Sequence, residues 1–325
     1  MKVYRALLVT LIAIVVIVGC KKNEDEDPPA VTPTPTQNPT FFQQLVADNI
    51  VAATQTFAVN AAAGGQVIAT QGTMLTFEPN AFRYADGTPV TGSVDVKVVE
   101  ALTIGDKIWL NKQTVGNDNG TLKMLRSGGS INVYASQGGN LLRITQSGLI
   151  AQIPTTIADP AMQLFSGTED ANGNMIWDPI DSASVSVDPG YYTAPTYTFP
   201  YYFYYSINPS SLNWINCDYF YNYPNITPLE ATIPDGQSTD STLVWVAFQT
   251  ENAVAQIQHL SGQVYRTSGG YQVPVGMQAV IVGLQQTATG YASSFTTVTI
   301  TANMNVPITF SPTTLAQFAT DLDAL

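Results

Sequence analysis

Charged side chains are scarce in this sequence, and the shortage argues against several kinds of protein. Only 11% of the 325 residues are charged, and the 24 acidic side chains outnumber the 12 basic ones. So few lysine and arginine side chains could neutralise only a few phosphates of a nucleic acid. We therefore expect no nucleic-acid partner. The net charge of -12 favours solubility and repels anionic surfaces. With a single histidine as well, the chain offers few titratable groups for a catalytic pocket. We therefore expect no enzymatic activity, no catalytic residues and no cofactor.

Long apolar runs are absent from the sequence except at its start. Met1 to Arg5 carries two positive charges, Ala6 to Val18 is almost entirely apolar, and Gly19 precedes Cys20. This layout is typical of the leader of an exported precursor, and the run is short for a membrane-spanning helix. It resembles a bacterial lipoprotein signal, which implies cleavage before Cys20 and acylation of that cysteine. We expect residues 1–19 to be a signal peptide and the mature protein to be held at a membrane by acyl chains on Cys20.

Cysteine is scarce too, since Cys20 and Cys217 are the only two. With Cys20 acylated, Cys217 has no partner for an intramolecular disulfide in the mature chain. A thiol nucleophile at Cys217 would need a base beside it, and His259 is the only histidine. The commoner arrangement is a buried cysteine, here near the aromatic side chains of Trp214 and Tyr219.

An acidic segment rich in proline and threonine follows the leader. Glu24 to Asp27 are all acidic, and prolines recur up to Thr40. Such a segment cannot bury enough apolar surface to fold, so we expect residues 20–40 to be an extended tether. An acidic cluster after the acylated cysteine resembles the signal that exports lipoproteins of the Bacteroidetes, which implies an outer-membrane protein facing the cell exterior. The alternative is an ordinary solvated run of charges.

Apolar residues recur at helical spacing near the two ends of the remaining chain. Phe41 to Val51 is expected to be a short helix behind Thr40. Ser311 and Pro312 are expected to begin a C-terminal helix that covers the core with one apolar face. We expect no helix for a long way after the first one.

Alternation of apolar and polar residues dominates the chain between these helices. Val94, Val96 and Val98 alternate with polar residues, which predicts a half-buried antiparallel strand, and Leu243 to Phe248 is apolar on both sides, which predicts a central strand. We expect a mainly-β fold of two β-sandwich domains, with residues 41–206 forming the first and residues 207–325 the second. The first domain carries an extra hairpin between Met162 and Trp177.

Several sequence motifs occur between Gln55 and Pro154 in an order that resembles a known domain. They are a glycine-rich start, "GTMLTFEPNAF", the turn "DGTPVTG" and a valine-alternating strand that ends at Glu100. Together they resemble the ZU5-like β-sandwich modules of Bacteroidetes surface lipoproteins, although the usual "P.GA" element appears here as Pro79, Asn80 and Ala81. The segment "LNWINCDYF" (Leu212 to Phe220) resembles one from the same lipoprotein group. The resemblance implies a structural or interaction domain.

The stretch from Tyr191 to Tyr223 holds ten of the 16 tyrosines. Strand spacing places Tyr205 and Ile207 on one face, which we expect to be core. Tyr202 and Tyr204 fall on the other face, where exposed rings would form a stacking platform for sugars. Packing between sheets is the alternative, because aromatic residues are common in strands.

The hairpin tip "SGTEDANGN" contains a weak candidate for a calcium site. Its oxygen ligands would come from Asp170, Asn172, Asn174 and Asp178. The spacing does not match an EF-hand, and the same residue types are those that a hairpin turn requires. We expect a turn rather than a metal site.

Two further patterns bear on catalysis. The tripeptide of His259, Leu260 and Ser261 resembles the self-cleavage site of some ZU5- and GAIN-type proteins. That self-cleavage reaction also needs a strained turn.

A pair of carboxylates for glycoside hydrolysis would have to come from side chains that converge in space. The candidates for that pair are Glu78, Glu100, Glu230 and Glu251.

These observations predict a membrane-anchored lipoprotein exposed at the cell envelope. We expect it to act as a non-enzymatic binding or structural module in adhesion, with a glycan or a protein at the cell surface as its partner. The alternative is a carbohydrate-active component of a glycan-utilisation system, which would bind or hydrolyse glycans.

Overall fold

Strands make up most of the described chain, which confirms the predicted mainly-β fold. The computed structural model describes residues 41–157, 159–170, 173–180, 185–189, 203–207, 209, 211–267 and 271–325. Its helices are α1 (Phe41–Ala53), α2 (Ile104–Trp109), α3 (Leu315–Leu322) and a 3-10 helix (Gln249–Glu251).

Twenty-five strands are present in this part of the chain. In chain order they are β1 (Gln55–Asn60), β2 (Gly65–Ile68), β3 (Met74–Phe77), β4 (Phe82–Arg83), β5 (Ser93–Ala101), β6 (Val115–Asp118), β7 (Thr121–Gln137), β8 (Asn140–Leu141), β9 (Arg143–Ile144), β10 (Leu149–Thr155), β11 (Gln163–Glu169), β12 (Met175–Pro179), β13 (Val185–Pro189), β14 (Phe203–Ile207), β15 (Trp214–Phe220), β16 (Ile226–Thr227), β17 (Leu229–Thr232), β18 (Thr242–Phe248), β19 (Ala253–Ser261), β20 (Val264–Arg266), β21 (Val273–Pro274), β22 (Gln278–Thr287), β23 (Gly290–Thr299), β24 (Met304–Pro307) and β25 (Ser311–Thr313).

Two sheets enclose the first hydrophobic core. One has the strand order β1-β5-β7-β15-β11-β12-β6, with β8 beside β7, and the other has the order β13-β14-β10-β3-β2. Val94, Val96 and Val98 are each 0% exposed, which confirms the alternation read from the sequence. They share one apolar cluster with Leu75 and Ile153 of the second sheet. This core is therefore built from the side chains at every second position of the strands, which point towards the facing sheet.

Five strands of the first sheet close into a ring. β6 pairs with β12 in parallel, at Gly116 and Trp177, and with β7 in antiparallel fashion. The pairings from β7 through β15, β11 and β12 to β6 complete the circuit. Leu125, Phe165 and Trp177 of these strands are 0% exposed and belong to one apolar cluster.

The strand β15 lies in a different place from the one expected. The predicted boundary after residue 206 assigned it to a second domain, but it pairs with β7 on one side and with β11 on the other, inside the first sheet. The register of the two strands shifts between Asn216 and Asp218, so Gly128 and Gly129 of β7 form a bulge opposite Cys217. Alternation predicts which face of a strand is buried, but not which strands are its neighbours.

A third sheet of eight strands lies in the C-terminal part of the described chain, with the order β24-β17-β20-β19-β18-β22-β23-β25, and β16 with β21 and β4 with β9 form two small two-stranded sheets. β18 lies between β19 and β22, which confirms the predicted central strand. Val244, Val246 and Phe248 pack in the core of this sheet. Trp245 and Ala247, on the opposite face of β18, pack in a cluster with apolar residues of all three α-helices. Both faces of the strand are therefore covered.

The helix α2 was not expected from the sequence. Its N-terminus has a capping box, in which the Thr103 side chain accepts from the Asp106 amide and the Asp106 carboxylate accepts from the Thr103 amide. A Cβ on Gly105 would lie 2.8 Å from the Leu322 carbonyl oxygen, so α2 and α3 approach closely there. The predicted N- and C-terminal helices are present, but Thr314 caps α3, and Ser311 belongs to a strand. None of the described helices is long and apolar enough to cross a membrane.

Hydrogen bonds beside the 3-10 helix join the third sheet to the first. The side-chain amide of Asn252 donates to the carbonyls of Leu102 (2.8 Å) and Ser127 (3.2 Å). Thr114 donates its backbone N–H to the Val254 carbonyl (2.7 Å) and accepts from the Val254 N–H through its hydroxyl (2.9 Å). The described residues all belong to one compact unit, Pro39–Leu325.

We expect Asn252→Gly to lower the free energy of unfolding by about 1–2 kcal/mol, because two hydrogen bonds across this junction are lost. Glycine keeps the left-handed backbone of Asn252, whose φ is 47°, so the change isolates the amide. Chemical denaturation would measure the change in the free energy of unfolding. Asn303→Gly is the matched control, since Asn303 has a φ of 53° and is exposed. Equal effects at the two positions would contradict the role of the Asn252 amide.

Candidate functional site

The predicted tyrosine platform does not have the exposure that stacking requires. Tyr204 is 4% exposed, so its ring offers no open face to a sugar, and burial raises its pKa. The expectation of an exposed Tyr204 is therefore corrected, because this side chain packs inside the protein. Tyr205 and Ile207 are each 0% exposed, as predicted for the opposite face. Tyr202 and Cys20 lie outside the described residues.

The calcium candidates make the contacts of an ordinary hairpin tip. The Asp170 carboxylate accepts from the backbone N–H (2.9 Å) and the side-chain amide (3.3 Å) of Asn174. Asp178 accepts from the Asn117 amide (3.0 Å) across β6 and β12. Asn172 lies outside the described residues. Among the residues that the structure describes, no group of three His, Cys, Asp or Glu side chains is arranged to hold a metal ion.

Cys217 and His259 lie in different sheets. Cys217 is 0% exposed in the first core, and burial raises the pKa of its thiol. His259 is exposed at the end of β19, where its Nε2 lies 3.0 Å from the Gly262 carbonyl oxygen. The tripeptide that starts there sits at a register shift between His259 and Ser261, with Leu260 54% exposed. The structure thus places the proposed self-cleavage sequence in a hairpin bulge.

The candidate carboxylates have partners of their own. Glu100 is 3% exposed and accepts from the Gln55 amide (3.0 Å) and from the backbone N–H groups of Gln71 (2.8 Å) and Thr73 (3.1 Å). Those bonds tie β5 to the β2–β3 turn. Glu230 lies 3.8 Å from Arg266.

Three tyrosines that follow one another at strand spacing form a surface feature at the end of β15. We call Tyr219, Tyr221 and Tyr223 the tyrosine strip. Neighbouring ring centroids are 5.8 Å and 4.4 Å apart along it. Tyr219 packs against the first core and Tyr223 against the core of the third sheet, whereas Tyr221 is 40% exposed. The strip therefore spans the two cores and presents its central ring to solvent.

An arginine held by two carboxylates lies beside the strip. Arg126 of β7 places its Nε 3.2 Å from Glu251 and a terminal nitrogen 3.7 Å from Asp159. The same side chain donates to the Tyr219 hydroxyl at 3.3 Å. Arg126 and Asp159 are 26% and 24% exposed, so each still reaches solvent. The four side chains come from separate segments and fix one another's positions.

Three polar atoms in this network have no hydrogen-bond partner among the described residues. They are Arg126 Nε, Glu251 Oε2 and the Tyr223 hydroxyl, all of them buried. Arg126 and Glu251 form an ion pair at 3.2 Å, but their geometry does not satisfy a hydrogen bond. Burial, and then the negative charge of Glu251, raise the pKa of Tyr223. Buried polar atoms of this kind are usually satisfied by an ordered water or a ligand.

A cleft of about 400 Å³ opens next to this network. Leu102 and Gly128 of the first sheet, Ile157, and Thr250 and Asn252 beside the 3-10 helix contribute to its lining. Glu251 lies between two of these lining residues in the sequence.

Two buried groups that can carry opposite charges lie close to the same cleft. Lys107 and Asp218 are both 0% exposed, and the Lys107 amine donates to the carbonyl of Leu102, a cleft residue (2.9 Å). Asp218 accepts from the Asn216 amide, and Ser127 and the Gly128 backbone also favour its ionised form. Burial lowers the pKa of Lys107 to about 8 and raises the pKa of Asp218 to about 7. Burial therefore disfavours the charged form of both groups.

These features were hard to predict from the amino-acid sequence. The tyrosine strip lies in the stretch already noted for its tyrosines, and the alternation of Tyr219, Tyr221 and Tyr223 was the available signal. Lys107 and Asp218 are far apart in the chain, and nothing in either neighbourhood predicts their proximity. Comparison with protein-family models finds no match for this chain, and comparison with curated proteins finds none either.

Proposed function

We propose that this protein is a non-enzymatic binding module of the cell envelope, attached to the outer membrane through acylated Cys20 and facing the cell exterior. The observation that carries the binding role is the tyrosine strip with the Arg126 network beside it. An exposed aromatic ring next to fixed polar side chains is the composition of many recognition surfaces.

The proposed anchor rests on the first forty residues. A positively charged start, a short apolar run and a small residue before Cys20 support export and acylation. Acyl chains bury in the bilayer and hold the attached protein at its surface. The acidic, proline-rich residues that follow support a tether between the bilayer and the folded part.

The β-rich architecture is compatible with the proposed ZU5-like character of the first sheets. The alternating valines of β5 and the turn before it occupy the positions that the resemblance uses. Modules of this kind are structural or interaction domains, and that supports a binding role over a catalytic one.

Replacing Cys20 by alanine is expected to abolish fatty-acid labelling of the protein and to release it from membranes, because the acylated sulfur is removed. Metabolic labelling with an alkyne-modified palmitate in a bacterial host, followed by membrane fractionation, measures both effects. Cys217→Ala is the matched control and should keep the label, since it removes the only other cysteine. Labelling that persists in Cys20→Ala, or a purified chain that retains residues 1–19, would contradict the anchor.

A further inference from the structure

We propose that the tyrosine strip and the Arg126 network form a binding site for an uncharged glycan chain, with the Tyr221 ring as the surface on which a sugar packs. This inference rests on the proposed binding function and specifies its ligand class. It moves the proposed sugar-binding surface from Tyr204, which is buried, to Tyr221.

Tyr221 is the part of the strip that a ligand can reach. It is 40% exposed, whereas Tyr219 and Tyr223 are packed against the two cores and hold its ring between them. An aromatic ring fixed in this way packs against the C–H face of a sugar with little loss of conformational entropy.

The polar side chains beside Tyr219, the neighbour of Tyr221 in the strip, suit hydroxyl groups. Arg126 only donates hydrogen bonds and the Asp159 carboxylate only accepts them, and both remain partly exposed next to Tyr219. A sugar hydroxyl does both, so one hydroxyl group can bridge the two side chains. Because these groups already contact each other, they need little reorganisation on binding.

The charge of the site argues for a ligand without negative charge. One arginine faces the two carboxylates of Asp159 and Glu251, which leaves the network with a net negative charge. The whole chain carries a net charge of -12. Phosphorylated, sulfated and uronic-acid polymers would be repelled both by the negative charge of this network and by the net negative charge of the whole chain.

Affinity electrophoresis of the full chain in a mild non-ionic detergent tests this site. The native gels contain one polysaccharide each: soluble starch, laminarin, galactomannan or hydroxyethyl cellulose as uncharged probes, and polygalacturonate as a charged one. We expect at least one uncharged polymer to retard the protein and polygalacturonate to leave it unaffected.

Tyr221→Ala should weaken that retardation about tenfold or more, as the loss of a central aromatic anchor does, and Tyr221→Phe should retain it because the ring is kept. Leu260→Ala removes another exposed apolar side chain, in a different hairpin, and should have no effect. Retardation by none of the uncharged polymers, or retardation that Tyr221→Ala leaves intact, would overturn the inference. Fatty-acid labelling at Cys20 is read independently, so an acylated protein that binds no glycan would overturn this inference and leave the proposed anchor in place.

Discussion

Replacing Lys107 by methionine is expected to lower the free energy of unfolding by about 3 kcal/mol, because it removes the hydrogen bond to the Leu102 carbonyl and the positive charge that favours the ionised form of the buried Asp218. Both side chains are 0% exposed, so water cannot take over the role of the lost amine. The double variant Lys107→Met, Asp218→Asn should recover most of this loss, since two neutral side chains need no charge compensation. Denaturant unfolding followed by tryptophan fluorescence measures both variants.

The effect of Lys107→Met should also depend on pH. The folded-state pKa of Asp218 is raised to about 7, above its ordinary value, so the folded protein holds this proton at pH 5 and ionises it above pH 7. A protonated Asp218 needs no cation, and the loss of stability should therefore be smaller at pH 5 than just above pH 7, where Asp218 is largely ionised and Lys107 still carries most of its charge. Lys123→Met is the control, because Lys123 pairs with Asp118 at a partly exposed site and should cost at most about 1 kcal/mol. A loss at Lys107 no larger than the control, or one independent of pH, would contradict the buried pair.

Gly128→Ala is expected to destabilise the protein by about 3 kcal/mol through overpacking. A Cβ at this position would overlap the Tyr205 ring and lie 2.8 Å from the Cys217 carbonyl oxygen. The backbone at Cys217 is held by its pairing with Leu164 of β11 and by the pairing of Asn216 and Asp218 with β7, so it cannot easily move away. Thermal unfolding of the variant gives the size of the effect.

Gly138→Ala provides the comparison for Gly128→Ala. A Cβ on Gly138 meets nothing within 4 Å, and only its φ of 59° opposes the substitution, which costs about 1 kcal/mol. The difference between the two variants isolates the steric term at Gly128. If Gly128→Ala were no more destabilising than Gly138→Ala, β7 and β15 would be less tightly packed than the structure indicates.

Sequence periodicity predicted the faces of strands well, for a physical reason. Side chains alternate strictly along a strand, so the burial of Val94, Val96 and Val98, and the coverage of β18 on both sides, could be read directly. The terminal helices followed from the spacing of their apolar residues in the same way, although α3 is capped by Thr314 and does not begin at Ser311. α2 is only six residues long, too short for a clear helical period, and was missed.

Neighbour relations and the candidate site could not be read from the sequence. Which strand lies beside β15 depends on the whole set of pairings, and no local pattern specifies it. The same holds for Tyr204, because alternation assigns it to a face but does not say whether another layer covers that face. The contact between Arg126, Asp159 and Glu251 depends on three segments that meet only after folding.

The location of β15 between β7 and β11 has a consequence for how this chain reaches its final state. Until the chain has been synthesised as far as Phe220, β7 and β11 both lack a hydrogen-bonding neighbour along one side. An incomplete chain ending near residue 206 would present these open ladders to other chains, and such edges promote aggregation. The first sheet therefore cannot be completed before β15 is available, and the distance in sequence between β7 and β15 makes that step slow.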